Sequence, residues 1–259
     1  MKIATFNVNG IKARLEALSA WLAAAAPDMV VLQEIKSVGA AFPCALFEDL
    51  GYRVETHGQK SFNGVAILSR LALEDVVRGL PGDDSDDQAR WIEATVIGRR
   101  AVRVCGLYAP NGNPAPGPKH DYKLAWMARL RDRAQALLAG EEPVVLAGDY
   151  NVIPQPIDAA RPAAWAEDAL FLPASRAAFQ RLLNLGYADA FRLRHPGPGH
   201  YSFWDYQAGA WPRNDGIRID HLLLSPQAAD LLRDAGIDKD VRALDKPSDH
   251  VPVWIELDA

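Results

Sequence analysis

Cysteine is scarce: Cys44 and Cys105 are the only two in 259 residues. That excludes a disulfide framework and a four-cysteine zinc site. A basic excess is also missing. Lys and Arg total 28 against 33 Asp and Glu, so the formal charge is 28 − 33 = −5. The average surface is therefore not a basic nucleic-acid-binding one, although a local groove or a bound cation can reverse the sign. Long apolar runs are absent too. The most apolar helical stretch, Leu15 to Ala26, contains Glu16 and Ser19 and stops at Pro27. A membrane span needs about 20 residues, so none is expected. Asn7 and Asn9 interrupt the N-terminus, and no cleavage pattern follows, so no secretory signal is read there and the expected location is cytoplasmic. Patterns for a serine nucleophile elbow (G-x-S-x-G), a zinc protease (H-E-x-x-H), a Walker A loop and a dinucleotide fold do not occur.

What is present is a core former. Hydrophobic residues make up 49% and charged residues 24%, which excludes a disordered chain. A folded protein of this mass exposes roughly 11,000 Å² and buries about 73% of its extended surface. Short β-branched runs recur, and several end in polar residues. The pattern predicts strands at Lys2–Val8, Asp28–Leu32, Gly64–Leu68, Trp91–Ile97, Ala101–Leu107, Pro143–Leu146, Ile217–Leu224 and Val251–Leu257. Helices are predicted over Ile11–Ala25, Tyr122–Ala139 and Ser175–Leu185. Gly98-Arg99-Arg100 reads as a hairpin turn. The Pro/Gly-rich stretch Ala109–Lys119 reads as a surface loop, and the acidic run Asp83–Asp87 as a solvated one. Cys105, inside an apolar run, reads as a core residue. Many strands with few helices fit two packed sheets flanked by helices, and no composition break divides residues 1–259 into separate domains.

Five segments place costly polar groups at strand ends. Asn7 and Asn9 precede Gly10, with one side of the strand in common. Glu34 ends an apolar strand, where a lone carboxylate needs a metal or a basic partner such as Lys36. Asp149 and Asn151 share a direction after Gly148. Asp149 is placed to orient a water or take its proton, and Asn151 to donate to an oxyanion; an Asx turn before Pro154 is the other reading. Asp220 alternates with His221 and is left to hold a histidine from elsewhere. His250 follows Asp249, and a carboxylate-held imidazole is an effective acid/base group. A carboxylate, amide and histidine set with few soft ligands suits Mg²⁺ or Mn²⁺, ions that commonly serve phosphate chemistry.

Taken together, these segments resemble a known family. The segments are MKIATFNVNGIKAR at the start, PDMVVLQEIK around Glu34, YRVETHGQKSFNGVAILS at 52–69, DDQARWIEA around Arg90 and GLYAPNG around Tyr108. VVLAGDYNVIP around Asp149, YSFWDYQAGAW at 201–211, RIDHLLLS around Asp220 and SDHVPVWIEL near the end complete them. They resemble the exonuclease III family of class II apurinic/apyrimidinic endonucleases, within the endonuclease/exonuclease/phosphatase superfamily. The resemblance implies a four-layer αββα sandwich of DNase I-like architecture. It implies a metal-dependent phosphodiesterase of base excision repair, cutting duplex DNA at abasic sites and 3′ termini and leaving a 3′-hydroxyl and a 5′-phosphate. Glu34 would bind the metal, with Asn7, Asn9 and Asp249 beside it. Asp149 would orient or deprotonate the attacking water and Asn151 would steady it. Tyr108 and His250 would contact the scissile phosphate, with Asp220 holding His250.

Basic residues proposed for duplex DNA, abasic or 3′-blocked, are Arg90, Lys119, Lys123 and Arg213, with Lys12 and Arg14 after the first strand. The resemblance places Trp204 and its aromatic neighbours in a pocket for abasic deoxyribose. A monomer is expected. Two rival readings are a phosphatase of inositol lipids or other small phosphoesters, and a binding-only relative. HGQKSFNG and WDYQAGAW argue against the first. Glu34, Tyr108, Asp149, Asn151, Asp220 and His250 argue against the second.

Overall fold

The apolar runs become strands because each is buried on two faces. The computed structural model describes all 259 residues. Its strands are β1 Lys2–Asn7, β2 Met29–Gln33, β3 Arg53–His57, β4 Val65–Ser69, β5 Ala72–Arg78 and β6 Trp91–Ile97. They continue with β7 Ala101–Tyr108, β8 Val144–Asp149, β9 Ala188–Asp189, β10 Asp220–Leu224, β11 Leu232–Ile237 and β12 Val253–Leu257. They form two six-stranded sheets, ordered β11-β12-β1-β2-β4-β3 and β5-β6-β7-β8-β10-β9. Ile3, Val31 and Ile67 of the first sheet meet Ile92, Val104, Val145 and Leu222 of the second in a shared core. The alternate residues face outward beneath helices. Ala4, Phe6 and Leu32 pack under α1 (Leu15–Ala25) through Leu18, Trp21 and Leu22. The short α2 (Cys44–Asp49) adds Phe47 to that layer. Trp91, Cys105 and Leu146 pack under α3 (Pro118–Leu138) and α4 (Pro173–Asn184). Short helices α5 (Ala190–Arg194) and α6 (Pro226–Ala229) close the sandwich. The four-layer order is helix, sheet, sheet, helix, and the chain exposes 10801 Å². No helix is long and apolar enough to cross a membrane.

The eight predicted strands are the eight interior ones. The four that the pattern missed, β3, β5, β9 and β11, are the four sheet edges. Edge strands carry polar, half-exposed residues and lack the two-faced apolar signal. The strand predicted over Ile217–Leu224 pairs as β10 only from Asp220. The strand predicted from Val251 starts at Val253. Residues Ile11–Ala13 form a separate 3₁₀ turn before α1. Helix α3 begins at Pro118, four residues before Tyr122, because proline suits the first helical position. The turn after Gly98 joins β6 to β7, with Ile97 opposite Ala101. Within the acidic run, Asp86 is not simply solvated: Tyr122 donates to it at 2.9 Å and Arg129 pairs with it.

Topology assembles the polar strand ends. β1 and β2 are parallel, as are β7 and β8, so each pair exits at one rim. β10 runs antiparallel to β8 and β12 antiparallel to β1, so both begin there. Register then sets Tyr108 opposite Asp149 and Asp149 opposite Asp220. Gly148 permits this. A Cβ on it would overlap the Leu107 carbonyl oxygen of the neighbouring strand.

Candidate active site

At the shared rim the chain leaves β conformation abruptly. Asn9, Glu34, Lys36 and Asn151 all adopt positive φ, between 45° and 50°. Non-glycine residues pay a conformational cost there, and such residues cluster where side chains must be aimed. Backbone bonds hold them. Gly10 N–H donates to the Glu34 carbonyl at 2.8 Å, and Lys36 N–H to the Asn63 carbonyl at 3.0 Å. The Asn7 amide links the two sheets, donating to Glu34 Oε1 and to Asp149 Oδ2, both at 3.0 Å. Asn9 donates to Asp249 Oδ1 at 3.0 Å and accepts from Lys36 Nζ, which also pairs with Glu34 Oε2 at 2.9 Å. Burial pushes the Glu34 carboxyl up, but Asn7, Lys36 and His250 more than reverse this and keep it below the usual range. It is a carboxylate.

Opposite Glu34 lies a histidine between two aspartates. His250 Nδ1 meets Asp220 Oδ2 at 2.9 Å, and Nε2 lies 3.8 Å from Asp149 Oδ2. All three residues are buried, with polar atoms that lie within 4.8 Å of one another. Burial alone would discharge the imidazole. The Asp220 charge and hydrogen bond, with Asp149 and Asp249, raise its pKa well above the ordinary value. Ser202 Oγ donates to the same Asp220 oxygen at 2.6 Å and fixes that carboxylate. Asp149 is shifted upward, first by burial and then by Asp220. Its Oδ1 accepts from the Asn151 N–H at 2.8 Å, while Asn151 Nδ2 donates to the Ala109 carbonyl at 3.0 Å. Burial and the charges of Glu34 and Asp149 push the Tyr108 phenol far up, so it stays a hydroxyl. These groups open onto a cavity of about 290 Å³, lined also by Trp165, Asp168, Leu170, Phe203 and Ile219.

Thus Asn7, Asn9, Glu34, Tyr108, Asp149, Asn151, Asp220, Asp249 and His250 meet at one place. The basic and aromatic candidates divide. Lys119 and Arg213 are exposed. Arg90 is half-buried, stacked 4.8 Å over the Tyr108 ring and bonded to the Tyr108 carbonyl, so it braces that tyrosine. Lys123 and Trp204 are corrections. Both are 0% exposed and cannot touch DNA in this conformation. Lys123 sits on the inner face of α3, capped by backbone carbonyls. Trp204 packs edge-on against Trp211 at 5.0 Å, and its backbone N–H donates to the Asp249 carbonyl at 2.9 Å. Its neighbour Phe203 faces the cavity instead, 5.0 Å from the His250 ring. Alternation along 201–206 separates Phe203 from Trp204 but does not say which faces the site. Phe203 is one of the aromatic neighbours that the resemblance places in the pocket, whereas Phe62, 69% exposed in the loop following β3, is not among them.

The entry to β10 is anchored by a buried ionic knot. Arg218 pairs with Asp158 at 2.7 Å and with Asp189 at 2.8 Å, and its Nη1 faces His221 Nδ1 at 2.9 Å. His221 is therefore the neutral tautomer that accepts from Arg218 and donates through Nε2 to the Val152 carbonyl, 3.1 Å away. Burial and then Arg218 lower its pKa to about 4. The unfolded imidazole titrates near 6.5, so the unfolded state binds more protons between the two values. Stability is fully present above pH 6.5 and falls as pH drops toward 4, by about 3 kcal/mol from this group. Denaturant unfolding at pH 7 and 4.5 should show the loss. His221→Gln, which cannot ionise, should lose less over that interval; an equal loss would refute the assignment.

Two packed mixed sheets with this rim of acids, amides and one histidine define an architecture shared with known proteins. The chain belongs to the endonuclease/exonuclease/phosphatase family, which it matches over residues 4–250. Within that family it falls with exodeoxyribonuclease III. It is 36% identical to exodeoxyribonuclease III of Haemophilus influenzae, over 99% of this chain and 100% of that protein. An AP endonuclease structure from Archaeoglobus fulgidus superposes with a TM-score of 0.95 at 38% identity, covering 100% of both chains. The 3′ phosphatase NExo from Neisseria, bound to a product DNA hairpin, gives 0.96 at 40% identity with the same coverage.

Proposed function

We propose that this chain is a DNA phosphodiesterase of the exodeoxyribonuclease III and AP endonuclease type, acting in base excision repair as one domain and one chain. The observation that carries this reading is His250 held between Asp220 and Asp149, across a cavity from Glu34 and Asp249. Every group in that set comes from one chain, so a monomer suffices.

The family works with a divalent metal. The residues here fit one. Glu34, Asp149, Asp220 and Asp249 supply four carboxylates against two cations, Lys36 and His250, and the atoms that Glu34, Asp249, Asn7 and Asn9 can offer a cation are all oxygens. An oxygen-only, net-negative set favours Mg²⁺ or Mn²⁺. Glu34 and Asp249 would hold the ion, with Asn7 and Asn9 beside them. Bound there, it supplies positive charge that polarises the phosphoryl oxygens.

The chain's own residues do the rest. Asp149 orients a water in line with the phosphorus and takes its proton, with Asn151 and Asn7 fixing the carboxylate. The water oxygen bonds to phosphorus, the bond to the 3′ oxygen breaks, and the departing 3′ oxygen takes a proton from solvent water while Asp149 returns its proton to solvent. The products are a 3′-hydroxyl and a 5′-phosphate. Tyr108 O–H and the His250 imidazolium donate to the phosphoryl oxygens as charge develops. Phe203, Leu170, Ile219 and Trp165 give the cavity an apolar wall. A deoxyribose without a base fits such a wall better than a whole nucleotide, which favours abasic and 3′-blocked duplexes.

Purified protein with Mg²⁺ or Mn²⁺ should cut an abasic duplex and trim recessed 3′ ends, and end analysis should find 3′-hydroxyl and 5′-phosphate products. No cleavage with any divalent ion would overturn the reading. Binding to a cleavage-resistant abasic duplex should weaken linearly on a log–log plot against salt, by roughly 0.9 per phosphate neutralised. The acidic total would then coexist with a basic surface that includes Lys12, Lys119 and Arg213. A flat salt response would contradict that surface.

A further inference from the structure

Lys123 is excluded from the DNA surface, yet it is an unusual residue to bury. Its Nζ donates to the carbonyls of Asn111 at 3.0 Å, Asn151 at 2.5 Å and Ala169 at 3.3 Å. All three partners are backbone carbonyls, and none is a carboxylate. A buried ammonium satisfied only by dipoles is costly, and burial lowers its pKa to about 7 against the pull of Asp149 and Asp168.

The three carbonyls belong to three different loops that line the catalytic cavity. The first follows β7 and carries Asn111 and Asn113. The second follows β8 and carries Asn151. The third carries Asp168 and Leu170. They are also stitched to one another. Asn111 Nδ2 donates to Asn151 Oδ1 at 3.2 Å, Asn113 Nδ2 to Asp168 Oδ1 at 3.0 Å, and Ile153 N–H to the Leu170 carbonyl at 2.8 Å. The first loop wraps the lysine stem closely. Gly112, at φ 93°, has no room for a Cβ, which would lie 2.7 Å from Lys123 Cδ. The ammonium is thus the one point where all three loops converge on a single atom.

We propose that Lys123 is a positioning residue for the reaction. By tying the Asn111, Asn151 and Ala169 carbonyls to one ammonium, it fixes the Asn151 amide and the Asp168–Leu170 wall relative to Asp149. The inference rests on the proposed DNA phosphodiesterase activity and adds a residue that touches neither substrate nor metal.

Lys123→Met keeps the stem and removes the charge. With a defined abasic duplex at saturating concentration, its single-turnover rate should fall about 10- to 100-fold, while the dissociation constant for a cleavage-resistant duplex stays within about threefold. Lys123→Arg retains the charge but cannot bring three donors to one point, so its rate should lie between wild type and Lys123→Met. Hydrogen exchange should quicken in segments 109–113, 150–153 and 168–171 and not in the sheets. A wild-type rate for Lys123→Met would overturn the inference, as would a binding loss equal to the rate loss. If Lys123→Met does not fold, Lys123→Arg decides: wild-type rate with wild-type loop exchange overturns it. Absence of cleavage by the wild-type protein would instead remove the functional reading itself.

Discussion

Replacing His250 with asparagine should slow single-turnover cleavage by about 100- to 1,000-fold while duplex affinity changes little. The ring lies 4% exposed between Asp220 and Asp149, which favours its cationic form and leaves Nε2 on the cavity side. An asparagine amide can still donate one hydrogen bond, but it carries no charge to meet that of a phosphorane-like transition state. Asp220 acts on the reaction mainly by holding the ring, and its charge also pushes the Asp149 carboxyl upward. Asp220→Asn should therefore cost less, because the amide keeps a hydrogen-bonding group against Nδ1 and loses only the charge. The two losses should not add, since either change disables one imidazolium unit. Rates for wild type, both single variants and the double variant, alongside folding by circular dichroism, would test this. Additive free-energy losses would separate the two residues, and near-normal turnover in His250→Asn would remove the imidazole from the chemistry.

Cleavage should also vanish in excess EDTA and return with Mg²⁺ or Mn²⁺. Glu34→Gln should lower turnover by a similar order and shift the metal titration by at least about 100-fold. Glu34 is the carboxylate at the end of β2, on the first sheet's side of the rim. One of its oxygens accepts from Asn7, the other from Lys36, and its backbone is locked at φ 50°. Glutamine preserves volume and conformation, so the lost quantity is charge. Isothermal titration with Mn²⁺ reads the affinity without any turnover. An unchanged titration in Glu34→Gln would place the ion elsewhere, and undiminished cleavage after metal removal would exclude a metal requirement.

The site was largely legible in the sequence because strand ends are local features. Asn7, Glu34, Asp149 and Asp220 each terminate or open a run of apolar residues, and such polar groups stand out against that background. Asp220 alternates with His221, so the pattern alone freed its carboxylate for another histidine, and the structure supplies His250. The misassignments have a common cause. Lys123 is read from residue type and Trp204 from the family resemblance, and neither reveals which way a side chain turns. A lysine amid a Pro/Gly loop and a helix start reads as exposed charge. It is buried because three loops fold over it.

Sequence by itself determined the interior of this protein: the eight two-faced strands, the three longest helices that cover them, and the identities of the acids, amides and histidine at their ends. Burial on both faces leaves a continuous apolar imprint that needs no partner to be recognised. Tertiary structure alone decided the rest. The four edge strands pair with one neighbour each and carry polar residues, so only an existing sheet recruits them. The choice of Phe203 over Trp204 for the cavity wall depends on how segment 201–206 crosses between Ile217 and His250. The meeting of Asn7 with Asp149, 142 residues apart, depends on two parallel strand pairs in separate sheets ending at the same rim. Such convergence is set by chain topology and inter-sheet packing, neither of which any single stretch of sequence encodes.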